Sequence, residues 1–282
     1  MQATECTDWK RKITGNENCR SNAKRKAFRF GLLKRQSRPP EPPGSKKTFS
    51  ADILKLIVAC AMLADHAAWL FLPFDTPAGQ SVHFFGRIAA PVTCFLLVEG
   101  YFYTRSVKRY AVRLGAFALI SQIPYSIFQT GTIDFRPGPG RFSVLYTLLC
   151  CLLAVWVWDK MRDKAFCSFA LAALSLLSVL GDWMMFAFLF TMAFAMNRGN
   201  LRKQCLWFAA AAVFMTGLMT ASSMLDGNPF YSQLYQLGVL LSIPCLGLYS
   251  GRRAATARGK WAFYVFYPAH LLALILLKQA VS

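Results

Sequence analysis

Charge is what this chain lacks. Only 16% of its 282 residues are Asp, Glu, Lys or Arg, where a soluble domain carries about 25%. With 55% hydrophobic residues and the shortage concentrated in long apolar runs, the composition excludes an ordinary soluble globule and indicates a polytopic membrane protein. Acidic residues are the scarcest: 13 against 32 Lys and Arg, for a net charge of +19. Residues 1–48 hold thirteen Lys/Arg and four Asp/Glu, a net of +9, and the remaining excess sits mostly in short loops. Loops that orient helices by the positive-inside rule and touch anionic headgroups account for this balance, so no nucleic-acid partner is expected.

Other absences narrow the chemistry. No C-x-x-C spacing occurs among the nine cysteines, and Cys60, Cys94, Cys150, Cys151, Cys205 and Cys245 lie inside apolar runs. They read as small buried hydrophobes rather than a disulfide framework. No two histidines stand at i,i+3 or i,i+4, so no metal is expected. G-x-S-x-G, P-loop and Rossmann fingerprints are missing. Residues 1–48 carry no apolar core of about 7–15 residues, as a secretory signal would. They read as a basic, Pro-rich, disordered cytoplasmic tail.

What is present is a series of apolar runs. From Phe49 onward, spans are expected near 50–73, 84–104, 107–128, 143–158, 165–180, 183–197, 204–225, 232–249 and 261–279. The fold class is therefore all-α: a bundle of about nine transmembrane helices, with 49–282 as the membrane domain. The stretches 105–113, 160–164, 198–203 and 250–260 are rich in Lys and Arg, whereas 74–83 and 226–231 have none. This alternation places the N-terminus in the cytoplasm.

Ionisable groups are costly inside a bilayer and mark functional sites. The first run carries Asp52, Lys55, Asp65 and His66; the second carries Arg87 and Glu99. Counting back from a ten-residue loop places Lys55 opposite Glu99, and Asp52 opposite Arg105. His66 falls near the level of Arg87, about 18 Å of helix from Glu99. These placements predict two inner ion pairs and an outer His–Arg layer. The inner charges could be substrate-binding or could fix helix register. Asp65 could orient the His66 imidazole, and His66 could equally be a satisfied core histidine. His270 follows Pro268 in the last run, where a kink would line a cavity. Gln122 and Asp182 rank lower, and His83 reads as ordinary loop surface.

The series Met62-Leu63-Ala64-Asp65-His66, Phe85-Gly86-Arg87-Ile88-Ala89-Ala90-Pro91 and Val98-Glu99-Gly100-Tyr101 resembles the TraX family of bacterial membrane proteins. Lys108-Arg109-Tyr110, Ile120-Ser121-Gln122-Ile123-Pro124, Gly181-Asp182 and Phe266-Tyr267-Pro268 with His270 extend the resemblance over about 49–279. It implies a multi-pass protein of the bacterial cytoplasmic (inner) membrane. It further implies an integral-membrane acyltransferase with acetyl-CoA as co-substrate and no bound cofactor. The family namesake is implicated in N-acetylation of pilin; here the acceptor is open, a pilin-like protein, a glycan or a small molecule. On this reading His66 is a base or nucleophile, with Asp65 and Arg87 completing the catalytic group. Lys55, Arg105, Arg109 and Arg113 would steer the CoA phosphates. A transporter or flippase of an anionic or lipid-like molecule, and a non-catalytic assembly factor for surface appendages, are the competing functions.

Overall fold

The computed structural model describes residues 48–251 and 258–281. The basic tail, with Cys6 and Cys19, lies outside the described residues apart from Thr48. Those that are described form helices joined by short loops, with only two isolated β-bridges, Phe49 with Tyr249 and Phe142 with Gly181. The helices are α1 (Ala51–Phe71), α2 (Pro77–Gly86), α3 (Ala89–Tyr103), α4 (Val107–Thr130), α5 (Val144–Lys160), α6 (Lys164–Ser178), α7 (Met184–Met196) and α8 (Leu201–Leu225). A 3₁₀ helix (Phe230–Leu241), α9 (Ser242–Gly247) and α10 (Arg258–Val281) follow.

Five stretches are long and apolar enough to cross a membrane: α1, α2–α3 taken together, α4, α8 and α10. The 165–180 and 183–197 runs become α6 and α7, of 15 and 13 residues. At 1.5 Å per residue, α7 is only about 20 Å long. It is apolar on every side, and Phe186, Phe190 and Phe194 are all buried. A helix with no polar face belongs in a core. Phe194 stacks on Phe208 of α8 and meets Phe95 of α3 edge-on.

The second expected span starts earlier and is broken. Thr76 caps α2 through Gly79 N–H, and Pro77 follows in the first turn. This pairing of a hydroxyl cap with a proline already suited to helical φ starts the helix seven residues before the expected 84. The break falls at Arg87–Ile88 because Pro91 has no N–H to offer the Arg87 carbonyl and its ring crowds that oxygen. The 232–249 run also departs from expectation. It is a 12-residue 3₁₀ helix followed by the six-residue α9, not one regular α-helical span. The narrower 3₁₀ backbone approaches α2 so closely that a Cβ on Gly238 would collide with the Phe84 carbonyl oxygen.

Two polar ends result. At one, Glu99 accepts from Arg198 Nε at 3.1 Å, Tyr101 donates to Asp159 at 2.7 Å, and Phe49 N–H donates to the Leu248 carbonyl at 3.0 Å. These contacts gather the segments near Thr104, Lys160 and Arg198 at one end, beside Phe49 and Leu248. At the other, Gln122 donates to the Arg141 carbonyl at 2.9 Å and accepts from Ser143 N–H at 3.0 Å. Gln122 therefore pins the loop between α4 and α5. In that loop Asp134 is clasped by Arg136, whose hydrogen bonds hold its carboxyl down to about 2.

The expected inner ion pairs are corrected. Glu99 pairs with Arg198, and Lys55 stands 3.7 Å from Asp52 on its own helix. Arg105 is exposed beyond the end of α3. Counting along two helices could not reveal that α7 and its following turn would bring a third cation to Glu99. Arg198 also stacks on Phe102, 4.3 Å from the ring centre. Arg198→Met is expected to cost about 3–5 kcal/mol by stranding a buried carboxylate. Glu99→Gln added to it should recover much of the loss, and equal melting temperatures for Arg198→Met and wild type would show the pair to be dispensable.

Candidate functional site

The site is built where α1 meets α2. Asp65 lies against Gly86, where a Cβ would stand 2.5 Å from the Asp65 Cβ. Glycine permits this approach, and the approach brings two partners to the carboxylate. His83 Nδ1 lies 2.8 Å from Asp65 Oδ1 and donates to it. Arg87 Nη1 stands 4.0 Å from Oδ2. Asp65 thus orients His83, not His66 as the sequence suggested. His83 is fully buried rather than loop surface, because α2 begins at Pro77 and carries it, one turn before Arg87, toward α1. Trp69 lies over its ring at 4.5 Å.

Arg87 occupies the α2–α3 break between two aromatic rings. Its guanidinium is 5.2 Å from Trp183 and 4.9 Å from Tyr235. Such cation–π contacts replace part of a desolvated cation's hydration. Its Nε has no hydrogen-bond partner among the described residues. Trp183 is held there by an unusual backbone, with φ of 64°. The left-handed region is strained for a bulky residue and must be imposed by its surroundings. Asp182 Oδ1 accepts from Trp183 N–H at 3.0 Å, and Thr147 donates to the Asp182 carbonyl at 2.6 Å. Gly181 packs on Thr147 so tightly that a Cβ would overlap its Oγ1.

His66 looks the other way round α1. Its Nδ1 is 3.0 Å from His270 Nε2, and its ring meets Phe128 edge-on at 5.1 Å. His66, Asp65, Arg87 and Asp182 line one cavity of about 510 Å³. A second cavity, of about 290 Å³, is lined by Lys55, Glu99, Arg113, Tyr110 and Tyr264. Thr93 and Leu148 border both cavities, so the two spaces meet at that pair of side chains. Among the described residues no cluster of three or more His, Cys, Asp or Glu could hold a metal.

The predicted residues therefore divide. Asp65, His66 and Arg87 share the larger cavity, Lys55, Glu99 and Arg113 the smaller. His270 joins through His66, Gln122 serves the loop, and Arg105 stands apart. Missed by sequence reasoning were His83, Trp183, Tyr235 and Arg198. His83 was legible through the Thr76-Pro77 helix start; Trp183, Tyr235 and Arg198 reach their partners only through the fold.

This is a helical membrane protein with a polar site buried among its helices. It matches the family described as TraX protein over residues 50–278, and the chain belongs to that family. A relative from Dichelobacter nodosus, named as a probable fimbrial assembly protein FimC of serogroup H1, is 31% identical over 227 residues. That alignment covers 79% of this chain and 93% of the relative. No solved structure matches the chain significantly.

Gly86→Ala is expected to push α1 from α2 and to lower stability by about 1–3 kcal/mol. Thermal unfolding in detergent measures this. An unchanged melting temperature would show that the close approach at Asp65 is not needed.

Proposed function

We propose that this chain is an integral-membrane acyltransferase that moves an acyl group from an acyl thioester, acetyl-CoA, to an amine or hydroxyl acceptor. One observation carries the reading: His66 and Arg87 face a common cavity that abuts a second one bearing Lys55 and Arg113. The second cavity lies at the end where the basic loops gather, which the positive-inside rule assigns to the cytoplasm. Under that assignment the N-terminus is cytoplasmic, and nine spans require α5, α6, α7 and the 3₁₀–α9 segment to cross along with the five long stretches. Lys55 and Arg113 would meet the phosphates of the donor, and its thioester would reach His66 past Thr93 and Leu148.

In the reaction His66 accepts the proton of the acceptor N–H or O–H as that atom attacks the thioester carbon. Negative charge then develops on the former carbonyl oxygen, opposite the Arg87 guanidinium. The C–S bond breaks, and the departing sulfur takes the proton from the His66 imidazolium. The acceptor leaves acylated and the free thiol of CoA returns to the inner side. Asp65 and His83 hold Arg87 in place. The fimbrial name of the relative supports an acceptor connected with pilus assembly, such as a pilin-like protein in the bacterial inner membrane.

The same name favours a second reading, a non-catalytic factor for appendage assembly in which the buried charges only fix helix packing. Radiolabelled acetyl-CoA supplied to membranes separates the two. His66→Ala is expected to reduce label transfer by about 10²–10⁴-fold, and Arg87→Ala by about 10²–10³-fold. Transfer that survives both changes removes the proposed site, and its absence in the wild type favours the assembly role. Leu148→Trp, at the junction of the cavities, should abolish transfer, with the folded fraction checked by thermal unfolding in detergent because Leu148 is a core residue. Undiminished transfer in that variant would place the donor's route elsewhere.

A further inference from the structure

His270 stands outside the reaction as described, yet its ring has two close partners. Its Nδ1 lies 2.9 Å from the Phe266 carbonyl oxygen, and its Nε2 lies 3.0 Å from His66 Nδ1. The ring is also stacked on Phe266, with centroids 4.6 Å apart and an interplanar angle of 8°. His270 is almost wholly buried, 5% exposed. Its place on α10 follows Pro268, which cannot donate within the helix and frees local backbone acceptors.

The proton positions follow from elementary hydrogen-bond chemistry. A carbonyl oxygen only accepts, so His270 Nδ1 must carry a hydrogen. In a neutral imidazole the other nitrogen is then an acceptor, and His270 Nε2 presents a lone pair to His66. His66 Nδ1 must supply the hydrogen of that contact. The remaining nitrogen of His66, Nε2, is left with its lone pair. It is the only ring nitrogen not turned toward His270, and His66 lines the cavity that Arg87 and Asp182 share. Both rings stay neutral in this scheme, as suits two imidazoles among apolar helices. The neighbouring Asp65 carboxylate is already engaged by His83 and Arg87.

We propose that His270 is a positioning residue that holds His66 in its Nδ1–H tautomer and so aims the Nε2 lone pair into the cavity. The tautomer stands on the hydrogen-bond geometry alone; its service to proton transfer rests on the acyltransferase reading. An unconstrained neutral imidazole exchanges its proton between the two nitrogens. A base in the wrong tautomer would present N–H to the acceptor and could not take its proton. The chain from the Phe266 carbonyl through His270 to His66 removes that choice, acting beside the Met62 carbonyl that also accepts from the His66 imidazole.

Nitrogen NMR of the full chain, labelled at histidine and reconstituted in lipid bilayers, reads the tautomer without any activity. In the wild type at neutral pH, His66 and His270 should each show a protonated Nδ1 and a downfield, unprotonated Nε2. Assignment comes from the signals lost in His66→Ala and His270→Ala. His270→Ala should return His66 to a mixture with protonated Nε2. His270→Gln sets an amide oxygen near the former Nε2 and should restore Nδ1–H on His66. A protonated Nε2 on His66 in the wild type, or an imidazolium at either residue, overturns the proposal. So does a His66 signal indifferent to His270→Ala. If the wild type transfers label, His270→Ala should lower kcat by about 100-fold with KM for acetyl-CoA unchanged, and His270→Gln should regain most of it. If the wild type transfers none, the acyltransferase reading fails while the resonances still decide the tautomer.

Discussion

The carboxylate of Asp65 is the constraint on which the site depends. An ionised oxygen pair inside an apolar helix is tolerated only when protein groups replace its water. His83 and Arg87 do so from α2 and from the break that follows it. That need fixes how closely α1 and α2 must lie, which Gly86 allows, and it fixes the rotation of both helices. Once Arg87 is committed to Asp65, its faces are free for aromatic rings, and Trp183 and Tyr235 take them. One carboxylate thereby ties together α1, α2, the α6–α7 turn and the 3₁₀ helix.

Two other carboxylates of the bundle, Glu99 and Asp159, obey the same rule with different partners. Glu99, 7% exposed, is matched by Arg198 from the turn after α7. Tyr101 and Lys160 both reach Asp159. These contacts close the basic end of the bundle, while Gln122, Tyr125 and Ser126 close the opposite end by binding backbone groups of the 131–143 loop. Between the two ends lie the cavities, separated by Thr93 and Leu148. Thr93 spends its hydroxyl on the Ala89 carbonyl one turn back, at 2.7 Å, so the junction is lined by methyl groups and asks for no polar partner.

Much of this is legible in the sequence alone. Apolar run lengths set the helical class and marked where most helices lie. The scarcity of ionisable groups within those runs singled out Asp65, His66 and Arg87, which do meet at one cavity. Errors arose where a pairing depended on a third element. Lys55 and Glu99 were matched by depth along two neighbouring helices, but an ion pair also requires that no better cation arrive from elsewhere, and Arg198 does. His83 reads as loop surface because 74–83 separates two apolar runs, yet Thr76 and Pro77 start α2 there and carry it inside. Local capping chemistry outweighed composition there.

The sequence by itself determined that this chain must fold with its apolar helices side by side in a membrane, because nothing else buries such runs. Pro91 favours a break beside Arg87 by withdrawing a hydrogen bond, although Pro124 and Pro268 sit inside the continuous helices α4 and α10. Only the tertiary structure decided which partner each buried polar group received. That choice is made by distances across helices far apart in the chain, such as His66 to His270, and no local pattern encodes them. Proline, capping and hydropathy act within a few residues. The pairing of a carboxylate or an imidazole is settled by whichever side chain the packed bundle carries within 3 or 4 Å.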